Sequence, residues 1–297
     1  MYEDINLITA IITPFTEDGL EIDYPALDKL TDRLIDEGTQ GFVIGGTTGE
    51  APTLTHLEKI ALYTHFAHYV GARGIVIANV GDNNTQHSAL FAKEVSDIEG
   101  VDAVLAVTPY YNKPSQAGMI EHFRAIATAS TVPVMLYNIP GRSAVGLTNE
   151  SVVTLAQHDN INAVKQVTTI DDLGYLVENT PDDFWVYTGE DAQTLAAKAV
   201  GAQGTISVSS HIYGPEMAAL FTALEVGDVP EAGRLQRWLT PKMSALFAYP
   251  SPAPVKAILA EKGEVENTTR LPILPLNEAE TTHLHELLAD QVEGDQA

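Results

Sequence analysis

The chain has 297 residues, 45% of them hydrophobic and 19% charged. These are ordinary values for a folded globular protein and exclude a disordered, collagen-like or coiled-coil chain. Lys and Arg number 16 against 40 Asp and Glu, a net charge of −24 with no run of Lys or Arg, which repels phosphate backbones and anionic lipid heads and argues against nucleic-acid and membrane-surface roles. With no cysteine, disulfides, zinc–thiolate sites, iron–sulfur clusters and thiol nucleophiles are excluded too.

The start, Met1-Tyr2-Glu3-Asp4, is acidic and lacks the basic opening of a signal peptide. No stretch approaches the ~20 apolar residues of a membrane span, so a soluble, cytoplasmic protein is expected. Short β-rich runs alternate with longer helical patterns. The runs at 7–13, 41–44, 75–79, 103–107, 134–137, 163–167, 184–188 and 205–208 are apolar on both faces, as a parallel sheet covered by helices requires. Helical periodicity predicts helices over 24–37, 57–70, 84–98, 116–129, 149–157, 171–178, 192–199 and 215–226, with caps at Asp23, Thr55, Ser115, Thr148 and Asp171. Eight such units match a (β/α)8 barrel. A doubly wound sheet is the rival, but the first strand leads into Thr13-Pro14-Phe15, without the glycine-rich turn of that fold. From Asp228 the strand signal stops and helical patterns fill 231–247, 255–261 and 277–290. The expected division is a barrel over 1–227 and a C-terminal helical appendage over 228–297, with 292–297 frayed.

In a barrel the active site lies at the C-terminal ends of the strands. Those ends carry Gly46-Thr47-Thr48-Gly49-Glu50, Tyr110-Tyr111, Tyr137 to Arg142, Lys165, Gly189-Glu190-Asp191 and Ser207 to Ser210. Lys165 alone among the lysines interrupts an apolar strand. Lys29, Lys59, Lys93, Lys198, Lys256 and Lys262 fall in helical patterns and read as solvated. Desolvation disfavours the charged form of an amine, and a neutral amine attacks a ketone to form a Schiff base. The plainer alternative is a strand-end lysine paired with Glu190. Thr47 and Thr48 sit among backbone N–H groups that suit a small anion, or else serve only the turn. Tyr137 is a proton shuttle or a core residue. Arg142 is a carboxylate clamp or a surface arginine. Glu190 and Asp191 stand where barrels usually bind phosphate, which argues for a carboxylate or neutral carbonyl substrate instead. His65, His68, His211, His283 and His285 lack the companions of a metal site, so no metal is expected.

Taken together, Gly46 to Glu50, Val107 to Pro114, Leu136 to Arg142, Lys165, Gly189-Glu190-Asp191, Gly204 to Val208 and Pro252 to Lys256 resemble, in order and spacing, the dihydrodipicolinate synthase family over essentially the whole chain. Its superfamily includes N-acetylneuraminate lyase and the 2-keto-3-deoxy sugar acid aldolases. The resemblance implies an imine between Lys165 and pyruvate, proton transfer by Tyr137, and a carboxylate site at Thr48. It also implies a proton relay through Thr47, Thr48 and Tyr111, with Tyr111 supplied by a neighbouring subunit, and substrate contacts at Gly189 and Ile206. Arg142 matches the arginine with which the synthases bind aspartate semialdehyde. A homotetramer built as a dimer of dimers is implied, with pyruvate and aspartate semialdehyde as substrates and no cofactor. The chain departs from the family at Lys165-Gln166-Val167-Thr168, where a carboxylate commonly follows the lysine, which bears on pocket electrostatics. It departs again at Lys59 and His87, where lysine-inhibited members carry histidine and glutamate. Weak or absent lysine inhibition is therefore expected, despite His56, Asn83 and Tyr110. The alternatives are a sugar-acid lyase, a non-catalytic binding barrel and a metal-dependent aldolase.

Overall fold

A computed structural model describes residues 2–289. Eight parallel strands, β1 (Leu7–Ala10), β2 (Gly41–Ile44), β3 (Ile75–Asn79), β4 (Ala103–Val107), β5 (Val134–Asn138), β6 (Ile161–Gln166), β7 (Trp185–Thr188) and β8 (Gly204–Ser207), pair in sequence order and close, β8 on β1. This is the (β/α)8 barrel expected from the strand count. Nearly every strand residue is buried, because one face fills the barrel and the other lies under helices.

The covering helices are α1 (Tyr24–Asp36), α2 (His56–Val70), α3 (Thr85–Ser96), α4 (Gln116–Ala129), the single turn α5 (Pro140–Ser143), α6 (Asn149–Leu155), α7 (Ile170–Asn179), α8 (Thr194–Ala199) and α9 (Ser210–Glu225). Asp23, Thr55, Ser115 and Thr148 accept the backbone N–H bonds expected of N-caps. Asp171 does not. Thr169 caps α7 instead, in a capping box with Asp172, and Asp171 falls in the first turn. Helix α9 begins at Ser210, before the predicted 215, and bends at Tyr213 (φ −122°, ψ 32°), so Pro215 lies just beyond the bend rather than at a helix start. Strand β1 stops at Ala10, short of 13. Ile11 still donates to the Val43 carbonyl, but Thr13 turns its hydroxyl to the Gly49 carbonyl.

Three further helices follow: α10 (Val229–Ala245), α11 (Ala253–Glu261) and α12 (Glu278–Leu288). Leu235, Leu239 and Met243 of α10 pack on Met217, Leu220 and Phe221 of α9. Ala257 and Ile258 of α11 pack with Leu276 and Leu284. Asp290 and the tail expected to fray lie outside the described residues. Among the described residues no helix is long and apolar enough to cross a membrane.

Candidate active site

A cavity of about 370 Å3 opens at the C-terminal ends of the strands. Thr47 and Thr48 line it from the β2 loop, Tyr137 and Arg142 from β5 and α5, Lys165 from β6, and Gly189, Glu190 and Asp191 from the β7 loop. Strand pairing sets the central contact. Tyr137 is directly opposite Lys165 in the β5–β6 register, and the Lys165 Nζ stands 4.6 Å from the Tyr137 ring centroid. Both side chains are buried, Lys165 to 6% exposure. Among the described residues, neither Lys165 Nζ, nor the Thr47, Thr48 and Tyr137 hydroxyls, nor the Arg142 guanidinium has a hydrogen bond or ion pair within the chain. The ion pair between Lys165 and Glu190 that the plainer reading required is absent.

Neighbouring groups have structural duties. Asp191 is buried; its Oδ2 accepts from the backbone N–H groups of Val208 (3.2 Å) and Ser209 (2.9 Å) and from the Ser209 hydroxyl (2.7 Å), tying the β7 loop to the β8 loop. Glu190 is the freer carboxylate. It stands open to solvent, yet the adjoining cavity wall removes enough water, and Asp191 adds enough negative charge, to push its carboxyl above the usual range. Gln166 alternates to the helix-facing side of β6, where Asn138 donates to it (3.2 Å) and it donates to Thr168 (2.9 Å). The departure from the family pattern at Gln166 therefore leaves the cavity wall untouched, and the expected effect on pocket electrostatics does not arise from direct lining. His211 is buried and neutral: its Nδ1–H donates to the Val208 carbonyl (2.8 Å), its Nε2 accepts from Ile12 N–H (3.2 Å), and burial pushes the ring down to about 4.

Two predicted site residues lie off this cavity. Ile206 is buried within β8, and Val208, two residues on, reaches the wall instead. Tyr111 is 86% exposed and held at φ +75°, a left-handed conformation rare for tyrosine. Sequence reasoning missed Met243, Ser244, Phe247 and Ser251, which form one wall. The C-terminal region is thus more than an appendage, and the motif ending at Lys256 was the signal for it. A second cavity of about 320 Å3 shares Thr47, Tyr137, Ile139 and Arg142 with the first. Beyond it, a cleft of about 380 Å3 holds His56, Lys59, Asp82, His87 and Glu94. Glu94 lies 3.1 Å from His56, a carboxylate in that cleft that the sequence reading had not placed there.

Fold and site together define a lyase of the class I aldolase type. A model of the dihydrodipicolinate synthetase family matches residues 4–291. A 4-hydroxy-tetrahydrodipicolinate synthase of Leuconostoc citreum is 66% identical over 291 residues, 98% of this chain and 100% of the relative. The crystal structure of a dihydrodipicolinate synthase from Bacillus anthracis superposes with a TM-score of 0.92 at 46% identity, covering 95% of this chain and 97% of that one. The chloride-inhibited dihydrodipicolinate synthase of Acinetobacter baumannii, solved with pyruvate, gives 0.91 at 36% identity, covering 95% and 97%. The chain belongs to the dihydrodipicolinate synthetase family.

Gly189 has a steric reason to be glycine. A Cβ there would fall 2.7 Å from Lys165 Cε and 2.6 Å from Val167 Cγ2, displacing the amine. Gly189→Ala should lower kcat about 100-fold with an unchanged circular-dichroism spectrum. A near-normal rate would show that Lys165 has slack at this point.

Proposed function

We propose that Lys165 carries the reaction of this family as a Schiff base: condensation of pyruvate with L-aspartate 4-semialdehyde to 4-hydroxy-tetrahydrodipicolinate, a step of lysine and diaminopimelate biosynthesis. The Lys165 amine adds to the pyruvate ketone and water leaves, giving the imine. Loss of a C3 proton gives the enamine, which attacks the aldehyde carbon of the second substrate. The amine of that substrate then attacks the imine carbon and frees Lys165. The protonated imine is the electron sink, so the scheme uses no cofactor.

Each group has one task. Thr48, with Thr47, holds the pyruvate carboxylate among the backbone N–H groups of its turn. Tyr137 transfers protons beside the imine. Arg142 pairs with the carboxylate of the semialdehyde. Gly189 completes the substrate site; Ile206 contributes only from within β8, off the cavity wall that Val208 reaches. Ring closure needs the substrate amine neutral, and Glu190, with its raised affinity for protons, is suited to accept that proton. Tyr111 completes the relay with Thr47, Thr48 and Tyr137 from a neighbouring subunit. The working form is a cytoplasmic homotetramer, with the catalytic barrel over 1–227 and the helical region over 228–297. The exposure and left-handed backbone of Tyr111 support that assignment.

One observation supports the reading above all others. Lys165, Thr47, Thr48, Tyr137 and Arg142 converge on one cavity with no side-chain hydrogen bond or ion pair among the described residues. Purified enzyme should form product from pyruvate and the semialdehyde. Arg142→Ala should raise the KM for the semialdehyde about 10- to 100-fold, as loss of a charged hydrogen-bonding pair does, and spare that for pyruvate. Cleavage of a 2-keto-3-deoxy sugar acid without semialdehyde condensation would select the sugar-acid lyase instead.

Lysine inhibition is weak or absent on the same reading. The cleft beside the site carries the Lys59 ammonium, which burial pushes below its usual range, and His87 where inhibited relatives have an anion for the lysine amine. Steady-state rates should hold within about twofold at 1 mM lysine, on the order of a few tenths of a kcal/mol. Half-inhibition below that concentration would refute it.

A further inference from the structure

Lys256 was expected to be solvated and is fully buried. Its Nζ meets Glu50 Oε1 at 2.5 Å and donates to the Thr268 carbonyl at 2.8 Å. Glu50 Oε2 accepts the backbone N–H of Arg270 at 2.9 Å. The Arg270 side chain continues outward to the Gly19, Leu20 and Thr53 carbonyls and to Glu58, at 2.7 Å. Lys256 and Arg270 both sit against the Phe15 ring, at 4.3 and 4.4 Å from its centroid. One network thus joins α11 and the loop after it to the loops that follow β1 and β2.

Glu50 stands two residues beyond Thr48. Its backbone is left-handed, at φ +55°, unusual outside glycine. Its N–H donates to the Thr47 carbonyl (3.1 Å), and Ala51 N–H donates to Gly46 (3.3 Å). The carboxylate is therefore the outer anchor of the turn that presents Thr47 and Thr48 to the cavity. A buried carboxylate this close to an anion site would repel an incoming carboxylate unless a cation balanced it.

We propose that Glu50 and Lys256 are positioning residues for the carboxylate end of pyruvate: their ion pair fixes the Thr47–Thr48 turn and cancels a negative charge that would otherwise oppose the substrate. This rests on the assignment of that turn to the pyruvate carboxylate. Neither residue lines the cavity, so both act through the turn. Burial draws the Lys256 ammonium down to about 8, against the opposing pull of Glu50.

The test is the pyruvate concentration that gives half-maximal borohydride-reducible adduct, measured by intact mass on the full chain. It is compared in wild type, Lys256→Met and the double variant Glu50→Gln with Lys256→Met. Lys256→Met, which leaves the carboxylate unbalanced, should raise that concentration about tenfold or more. The double variant removes the stranded charge while keeping an acceptor for Arg270 N–H, and should recover most of the loss. A purely structural role would lower the melting temperature and leave half-saturation alone. A folded Lys256→Met within about twofold of wild type, or a double variant no better than the single, overturns the proposal. If Lys256→Met does not fold, Lys256→Gln, which leaves the Glu50 carboxylate equally unbalanced while keeping a donor for the Thr268 carbonyl, takes its place, alone and with Glu50→Gln, under the same outcomes. No adduct in wild type at any concentration would instead refute the Schiff-base reading.

Discussion

A lysine amine buried with no hydrogen bond or contact ion pair among the described residues is the constraint on which the rest of this molecule depends. Taking an amine out of water without a hydrogen bond to replace the lost hydration costs stability. The closed barrel imposes the burial. Alternation along β6 turns Lys165 inward and Gln166 outward, and the β5–β6 register sets Tyr137 beside the amine. Gly189 leaves the room the side chain needs. The large aliphatic and aromatic core around eight short strands supplies the stability against which such a local cost is set.

Charge in and around the cavity divides into groups engaged within the chain and groups left open. Asp191 is engaged by the β8 loop, His211 by two backbone groups, and Glu50 by Lys256 and Arg270. These hold the loops. Lys165, Arg142, Thr47, Thr48 and Tyr137 have no side-chain hydrogen bond or ion pair among the described residues. Tyr2 Oη, His122 Nε2, Asn162 Oδ1 and Asp191 Oδ1 are buried without a hydrogen-bond partner as well; the cavity set is distinguished by converging on one open space, where we place the chemistry.

Much of this was legible in the sequence because it is local. Strands β2, β3 and β4 match their apolar runs residue for residue, since four or five apolar residues buried on both faces have no other home in a helix-covered sheet. Lys165 was legible because a charged residue breaks such a run only for a reason. Boundaries that depend on partners were not. Strand β6 starts two residues early, at Ile161, because Asn160, read as loop, donates to the Ala127, Ser130 and Val132 carbonyls and anchors the strand start. The cap of α7 passed to Thr169 because a hydroxyl two residues earlier closes a reciprocal box. Lys256 read as solvated because helical periodicity says nothing of a carboxylate 206 residues away. The wall formed by Met243 to Ser251 was hidden for the same reason.

The central claim is that Lys165 is the amine that captures pyruvate, and trapping tests it most directly. The protein is incubated with pyruvate, reduced with borohydride, digested and mapped by peptide mass spectrometry. The account predicts a reduced pyruvyl group on the peptide carrying Lys165 and its loss in Lys165→Met. An adduct on another lysine, or none on folded protein, would contradict it.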